Sequence, residues 1–519
     1  MDLTDRLIIS YPLYFSNDTS GCGYCNGQKA IAENNYSLMS LMHKESNGIT
    51  VNNSCVGFQS EQMSVEQYDR LCNMGYRRSG NFVYKGDMLR NCCRKYTIRT
   101  KMEYLKIDKE LKKSLRRFNK FVNPTENEMH KKNKGNVEYN VIEEVLKIKR
   151  SSSRLKTVFE PSVYSQEKYE LFCKFQENIH HDYKHSERGF RQFLCHSPFT
   201  DEEIMGTEEE WEQLNNWDTL QDNEYIKRLG PAHECYYLDG KLIAFAVTDF
   251  LVTGLSSVYF VWDPDYARLS LGKVSALKEL VLSTKIKNGY YYLGYYIGDC
   301  PKMNYKGKYG GELLDLCAAN YVRLEKLDNI TKHGRLFIMT DSEDKCDTPQ
   351  SEPYLNEKLK ALWLPSLSGE NLINIAENIY GSNGKALLDA NKAAISLKAF
   401  GMDFRTENMN GDKLNDNNTS ITTNRTGNEG KKSKKKTSDA IRSIPNVLPG
   451  LVPLPEVLEI INSGKIDTLK DKLLIFDTEL GGLRPFMGSK LESPEVMKII
   501  CDTIRVMGTE NAMNTIIII

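Results

Sequence analysis

Two apolar runs, Cys235-Tyr-Tyr-Leu238 and Leu242-Ile-Ala-Phe-Ala-Val-Thr248, flank the dipeptide Asp239-Gly240, and this arrangement restricts the fold more than any other stretch of the chain. Short runs of β-branched and aromatic residues suit strands, and Asp-Gly between them suits a two-residue hairpin turn whose residues both need positive φ. Ser256 to Trp262 reads as a third strand. Beyond it the apolar period changes: Leu271, Val274, Leu277, Leu280 and Val281 fall on one helical face, and Tyr290 to Ile297 then reads as a buried strand. Sheet, helix and sheet predict an α/β or α+β layer.

The chain is 519 residues long, enough for two or three domains. Lysine plus arginine and aspartate plus glutamate both total 69, so a surface for nucleic acid has to be local. No stretch reaches the roughly 20 apolar residues of a membrane span, and the first residues lack the apolar run of a signal peptide. A soluble, monomeric, intracellular protein with no membrane partner is expected. Thirteen cysteines, an odd number, argue for reduced thiols and a metal site over a disulfide framework, which fits the cytoplasm or nucleus.

Composition divides the chain. Residues 1–122 hold the tightest cysteine cluster and then turn basic. Residues 123–155 are polar and lysine-rich and read as a linker. An amphipathic helix, with Tyr169, Leu171, Phe172, Phe175 and Ile179 recurring three and four apart, opens a second domain over 156–405. Residues 406–442 are rich in asparagine, threonine and glycine, end near the run Lys431 to Lys436, and read as a disordered insertion. Residues 443–519 regain apolar character and are expected to dock on the second domain, the terminal isoleucines extending a sheet edge or filling a groove.

Cys22 and Cys25 form a Cys-x-x-Cys with glycine in the loop, a spacing at which two thiolates close on one ion. Cys92 and Cys93 add two thiols beside Arg90, Arg94 and Lys95, whose charge favours thiolate. The four suit zinc or an iron–sulfur cluster. Packed thiols or a redox pair are the other reading, because vicinal cysteines do not easily point both sulfurs at one ion. From Arg77 to Lys120 fifteen lysines and arginines face four acids and are interleaved with tyrosines, which describes a phosphate-binding surface or a solvated helix face.

Gly21-Cys-Gly-Tyr-Cys25, Gly75-Tyr-Arg-Arg-Ser-Gly80, Cys92-Cys-Arg-Lys-Tyr-Thr-Ile-Arg99 and Asn119-Lys-Phe121 together resemble the N-terminal domain of eukaryotic arginyl-tRNA protein transferases. Tyr237-Leu-Asp-Gly-Lys241, Asp263-Pro-Asp-Tyr266, Tyr291-Tyr-Leu-Gly-Tyr-Tyr-Ile297 and Cys300-Pro-Lys-Met-Asn-Tyr-Lys-Gly-Lys-Tyr309 resemble its C-terminal half. The resemblance implies a GNAT-like acyltransferase domain beside a smaller cysteine-rich domain. It implies arginine transfer from arginyl-tRNA to proteins with N-terminal aspartate, glutamate or oxidised cysteine, within the N-degron pathway. A coenzyme A donor fits less well: acyltransferases that use it cradle pyrophosphate with glycines at a helix start, and Arg268 to Ser275 offers Gly272 alone.

With an ester donor and an amine acceptor, no nucleophilic side chain is required. The reading assigns Asp263, Asp265 and Asp299 to the donor's guanidinium, Asp263 being the leading candidate. Lys302 and Lys306 would meet the acidic acceptor, and Tyr259, Tyr292, Tyr295 and Tyr305 would stack on the terminal adenosine or relay a proton. About half of the tyrosines in the 290–296 run must instead be core, since alternate residues of a strand face opposite sides. His180-His181-Asp182 reads as a helix end. A noncatalytic tRNA-binding or redox-sensing protein, and a transferase of the same fold with another acyl donor, share some of these features.

Overall fold

In the computed structural model the described residues are 5–16, 22–26, 54–124, 139–317, 319–332, 334, 336, 380, 384–404 and 440–519. The body of the insertion, with the run Lys431 to Lys436, lies outside them.

The N-terminal segment supplies β1 (Leu7–Ser10), β2 (Leu13–Ser16), β3 (Ser54–Gln62), β4 (Arg77–Ser79), β5 (Phe82–Gly86) and β6 (Tyr96–Thr100). Helix α1 (Val65–Asn73) follows β3. It starts at a reciprocal cap in which Gln67 N donates to Ser64 Oγ at 3.2 Å and Ser64 N to Gln67 Oε1 at 2.8 Å. Strands β1 to β5 belong to one sheet; β6 leaves it for a second.

That second sheet contains β7 (Leu155–Glu160), β8 (Gly230–Leu238), β9 (Lys241–Phe250), β10 (Gly254–Trp262), β11 (Tyr290–Tyr296), β12 (Glu312–Asp315) and β13 (Asn320–Arg323), in the order β13-β12-β6-β11-β10-β9-β8-β7. Asp239 and Gly240 form the predicted hairpin turn, both with positive φ. The 1–122 boundary therefore cuts through a sheet. β6 is central to it, and all five of its residues are buried, although two threonines and Arg99 hide its strand character from a hydrophobicity pattern. Arg99 is buried at no exposed area because Nε meets Glu312 Oε1 at 2.7 Å and the guanidinium lies between the rings of Tyr290 and Tyr321.

Residues 123–155, read as a linker, contain a second departure. Helix α2 (Lys109–Val122) is followed by α3 (Val141–Ser151), which buries Val141, Val145 and Ile148 in the main core. Helix α4 (Gln166–Phe175) covers β9 and β10 on one face, and α5 (Leu271–Ser283) packs against β10 and β11 from the other. The five apolar positions predicted for α5 are at most 3 % exposed.

The C-terminal region adds α6 (Lys385–Lys398), α7 (Leu454–Asn462), α8 (Pro494–Met513), β14 (Ala440–Arg442), β15 (Leu474–Asp477), β16 (Gly482–Pro485) and β17 (Thr515–Ile518). α8 buries Met497, Ile500 and Ile504 in the main core, but β17 enters the first sheet between β1 and β15, parallel to both. The run Ile516 to Ile519 is thus mostly an interior strand and not a sheet edge. An interior parallel strand is covered on both faces and reads as continuous apolar sequence.

Candidate active site

The second sheet opens in its middle. β10 and β11 run parallel and pair only from Gly254↔Tyr290 to Ser256↔Tyr292. Beyond that point β10 stays with β9 as far as Trp262, while β11 follows β6 to Tyr296. Each strand carries an irregularity there, at Ser257/Tyr259 and at Tyr292/Tyr295, and Gly294 adopts φ +77 within the second. A bulge adds twist and frees ladder groups, so two bulges at one level part the strands and leave main-chain donors and acceptors facing a notch.

One wall comes from the end of α4. The chain continues as a wider turn over Gln176–His180, and Gln176 Nε2 donates to the Tyr259 hydroxyl at 3.2 Å. His180 Nε2 lies 3.4 Å from the same hydroxyl. Burial and then the nearby Lys302 lower the His180 pKa, favouring the neutral ring. His180 thus sits at the notch as well as at a helix end.

The opposite wall is built by the N-terminal segment. The Tyr292 hydroxyl is bound to Thr253 Oγ1 at 2.7 Å and Asn73 Oδ1 at 2.9 Å, and the Tyr295 hydroxyl donates to Gly75 O at 3.0 Å. Both tyrosines join the second sheet to the N-terminal segment and are buried. Tyr291 points the other way and donates to Glu279 Oε2 at 2.7 Å; Ser275 Oγ donates to Glu279 Oε1 at 2.7 Å. Burial raises the Glu279 pKa to about 7. This carboxyl beneath the notch was not singled out in the sequence, where Glu279 looks like an ordinary helix-surface residue.

The mouth is closed by the turn from Cys300 to Tyr309. Lys306 Nζ donates to Tyr295 O at 2.8 Å, beside the bare Gly294. Burial, then repulsion from Arg77, push the Lys306 pKa down to about 7. Lys302 and Tyr305 are exposed on the same turn. Asp263 ends β10 and is 1 % exposed, its oxygens taken by Lys174 at 2.6 Å and Lys241 at 2.9 Å, with the Asp265 amide at 3.1 Å. Although burial opposes it, these lysines hold the Asp263 carboxyl below the usual range. The leading candidate for binding guanidinium is therefore already paired within the protein. Asp265 shares Lys174, at 2.6 Å, and Asp299 lies against the chain at Gly334.

The four cysteines come together. The sulfurs of Cys22, Cys25, Cys92 and Cys93 lie within 4.8 Å of one another, and those of Cys25 and Cys92 are 3.6 Å apart. Hydrogen bonds from Cys92 and then Cys93 hold the Cys22 thiol well below its usual range, while the same contact with Cys22 raises that of Cys92, so a thiolate at Cys22 is held by a neighbouring thiol. Four sulfurs around one point form a donor set for a soft metal centre, and the vicinal pair does reach it. Cys300 packs against the same cluster, which thereby adjoins the active-site turn.

The basic segment divides by burial. Arg77, Arg78, Lys85, Arg90, Arg94 and Arg99 are buried, whereas Lys109, Lys113, Arg116, Arg117 and Lys120 lie exposed along α2.

Residues 20–113 match the family described as arginine-tRNA-protein transferase, N terminus, and residues 167–315 match its C terminus. Arginyl-tRNA–protein transferase 1 of Saccharomyces cerevisiae is 41 % identical over 523 residues, covering 99 % of each chain. The chain belongs to the arginyl-tRNA–protein transferase family. The like-named protein 1 of Arabidopsis thaliana is 39 % identical over 155 residues, 28 % of this chain and 22 % of that protein. An aspartate/glutamate leucyltransferase of Pseudomonas syringae pv. tomato is 28 % identical over 254 residues, 48 % of this chain and 80 % of its own. In the arginyl-tRNA–protein transferase fold described above, the two matched regions meet across the notch.

Proposed function

We propose that this chain transfers arginine from arginyl-tRNA to the α-amine of proteins beginning with aspartate, glutamate or oxidised cysteine, marking them for degradation in the N-degron pathway. The full-length identity to the yeast transferase carries this reading. The notch supports its chemistry: a parallel pair that parts in mid-sheet, with a helix following β10, is the arrangement expected of a GNAT-like acyltransferase.

The donor is an activated ester and the acceptor amine has a pKa near 8, so a substantial minority of it is neutral near pH 7. The amine nitrogen attacks the ester carbonyl, the bond to the terminal ribose oxygen breaks, and that oxygen takes up a proton. Orientation in the notch supplies much of the acceleration, and unpaired main-chain amides of β10 or β11 would steady the developing oxyanion. Tyr259, held by Gln176 and near His180, is placed to pass the proton. Tyr292 and Tyr295 fix the wall; Lys302, Tyr305 and Lys306 border the acceptor; Asp265 and Asp299 remain the carboxylates for the donor side. The exposed face of α2 is the surface for the tRNA backbone.

Cys22, Cys25, Cys92 and Cys93 would hold zinc or an iron–sulfur cluster, which would cross-link the Cys22–Asn26 turn to the Cys92–Cys93 segment. The protein works as a monomer in the cytoplasm, with access to the nucleus. The test is transfer of labelled arginine from charged tRNA to two peptides differing only in N-terminal aspartate or alanine. Labelling of the aspartate peptide alone is the expected result; labelling of neither, with tRNA binding intact and the cysteine centre loaded, overturns the reading.

A further inference from the structure

Arg77 and Arg78 are consecutive, both nine-tenths or more buried, and differ in one respect. Arg78 presents Nε and Nη2 to Asp249, at 2.8 Å and 2.6 Å, the two-pronged fit of a guanidinium edge to a carboxylate. Arg77 spends Nη1 on Cys72 O, Cys72 Sγ and Tyr76 O. Its Nε and Nη2, the same edge that Arg78 fills, have no partner, and among the described residues no other side chain has two buried nitrogens in that state.

A buried guanidinium without an anion is costly to keep. The groups that act most strongly on Arg77 are Cys72 and the tyrosines Tyr68, Tyr295 and Tyr321, none of them a carboxylate. The guanidinium carbon lies 5.5 Å from the Tyr295 ring centre and 6.0 Å from that of Tyr292, on the wall of the notch. Lys306, which borders the same notch, is repelled by it. Arg77 and Lys306 thus meet the same tyrosine-lined wall, and the Nε–Nη2 edge of Arg77 is left without a partner there.

We propose that the open edge of Arg77 receives the carboxylate of the acceptor's first side chain, with Lys306 as the second cation, and so sets the preference for acidic N-termini. The assignment rests on the transferase reading above. Asp249 on Arg78 is the internal template: an aspartate carboxylate fits this edge two-pronged, whereas asparagine can accept at only one of the two nitrogens. The edge is enclosed without substrate, so the acceptor enters by displacing a neighbouring side chain, and the bare Gly294 beside Lys306 gives it room. A phosphate of the tRNA is the other anion that could reach a cation here, but a polymer backbone is a poor fit to an enclosed edge.

The experiment compares Arg77→Met with the parent enzyme on peptides starting with aspartate and with asparagine, reading kcat and KM separately, and measures arginyl-tRNA affinity alongside. The parent should prefer aspartate by on the order of a hundredfold. Arg77→Met should collapse that preference to within a few-fold, through a raised KM for the aspartate peptide, with tRNA affinity unchanged. Arg77→Lys keeps the charge and loses the paired edge; it should restore part of the preference, and it carries the test where the methionine variant fails to fold. An unaltered preference in a folded variant overturns the proposal, as does equal loss on both peptides with weakened tRNA binding, which would assign the edge to phosphate. Calorimetric binding of the two peptides to parent and variant reads the same edge without turnover, so absence of transfer by the parent would count against the activity and not against the site.

Discussion

The Cys300 thiol donates to the main-chain oxygen of Tyr24 at 3.6 Å. Tyr24 lies between the two cysteines of the Cys-x-x-Cys, and Cys300 begins the turn that bears Lys302, Tyr305 and Lys306, so the cysteine segment leans on the mouth of the active site. Replacing Cys25 with serine, or stripping the centre with a chelator, should leave the two sheets folded but raise amide exchange over 22–26 and 297–309. Transfer should fall roughly 10- to 100-fold, as it does when support around a metal site is lost. Unchanged exchange at 297–309 would show that the turn stands without the centre.

The Arg78–Asp249 pair ties β4 of the first sheet to β9 of the second, both side chains at most 2 % exposed. Removing one partner leaves the other charged and buried, so Asp249→Ala should cost about 3–5 kcal/mol of stability by denaturant titration. The double variant with Arg78→Met should recover a good part of that loss, which separates the stranded charge from the lost contact.

Tyr259→Phe keeps the ring packing against Phe175 and Phe193 and deletes only the hydroxyl shared by Gln176 and His180. A proton-passing role requires kcat to fall roughly 100-fold with KM and tRNA affinity little changed. A change smaller than threefold would reduce Tyr259 to part of the wall.

Lys306 binds its proton more weakly in the folded chain, at about 7, than an ordinary lysine does. Between that pH and the lysine value near 10.4 the unfolded chain holds more protons at this group, so its contribution makes stability rise with pH across the window. Lys85, buried and also lowered to about 7, acts in the same direction. Lys306→Met should therefore flatten, without abolishing, the rise in unfolding free energy between pH 7 and pH 9. An identical slope in parent and variant would place the ammonium in contact with water.

Asp239-Gly240 determined its hairpin, and the apolar period of Leu271, Val274, Leu277, Leu280 and Val281 determined that α5 is a helix, because both depend on neighbours within a few residues; the burial of its Lys278 and Glu279 was not legible there. The family motifs likewise were legible as local strings. Even the helix Val141–Ser151 had its signal, in Val141, Val145 and Ile148, but it was diluted by surrounding lysines.

Only the tertiary structure decided the rest, since it depends on pairings across hundreds of residues. It placed β6, with its buried Arg99, in the middle of a sheet shared by two sequence regions, and the last isoleucines in the sheet of the first strand. It gave Asp263 two lysines, brought Cys300 to the cysteine cluster, and filled the edge of Arg78 while leaving that of Arg77 open. A charged side chain carries in sequence no mark of which opposite charge it will meet. That partner is fixed by which strands pair and where they part, and those relations exist only after the chain has folded.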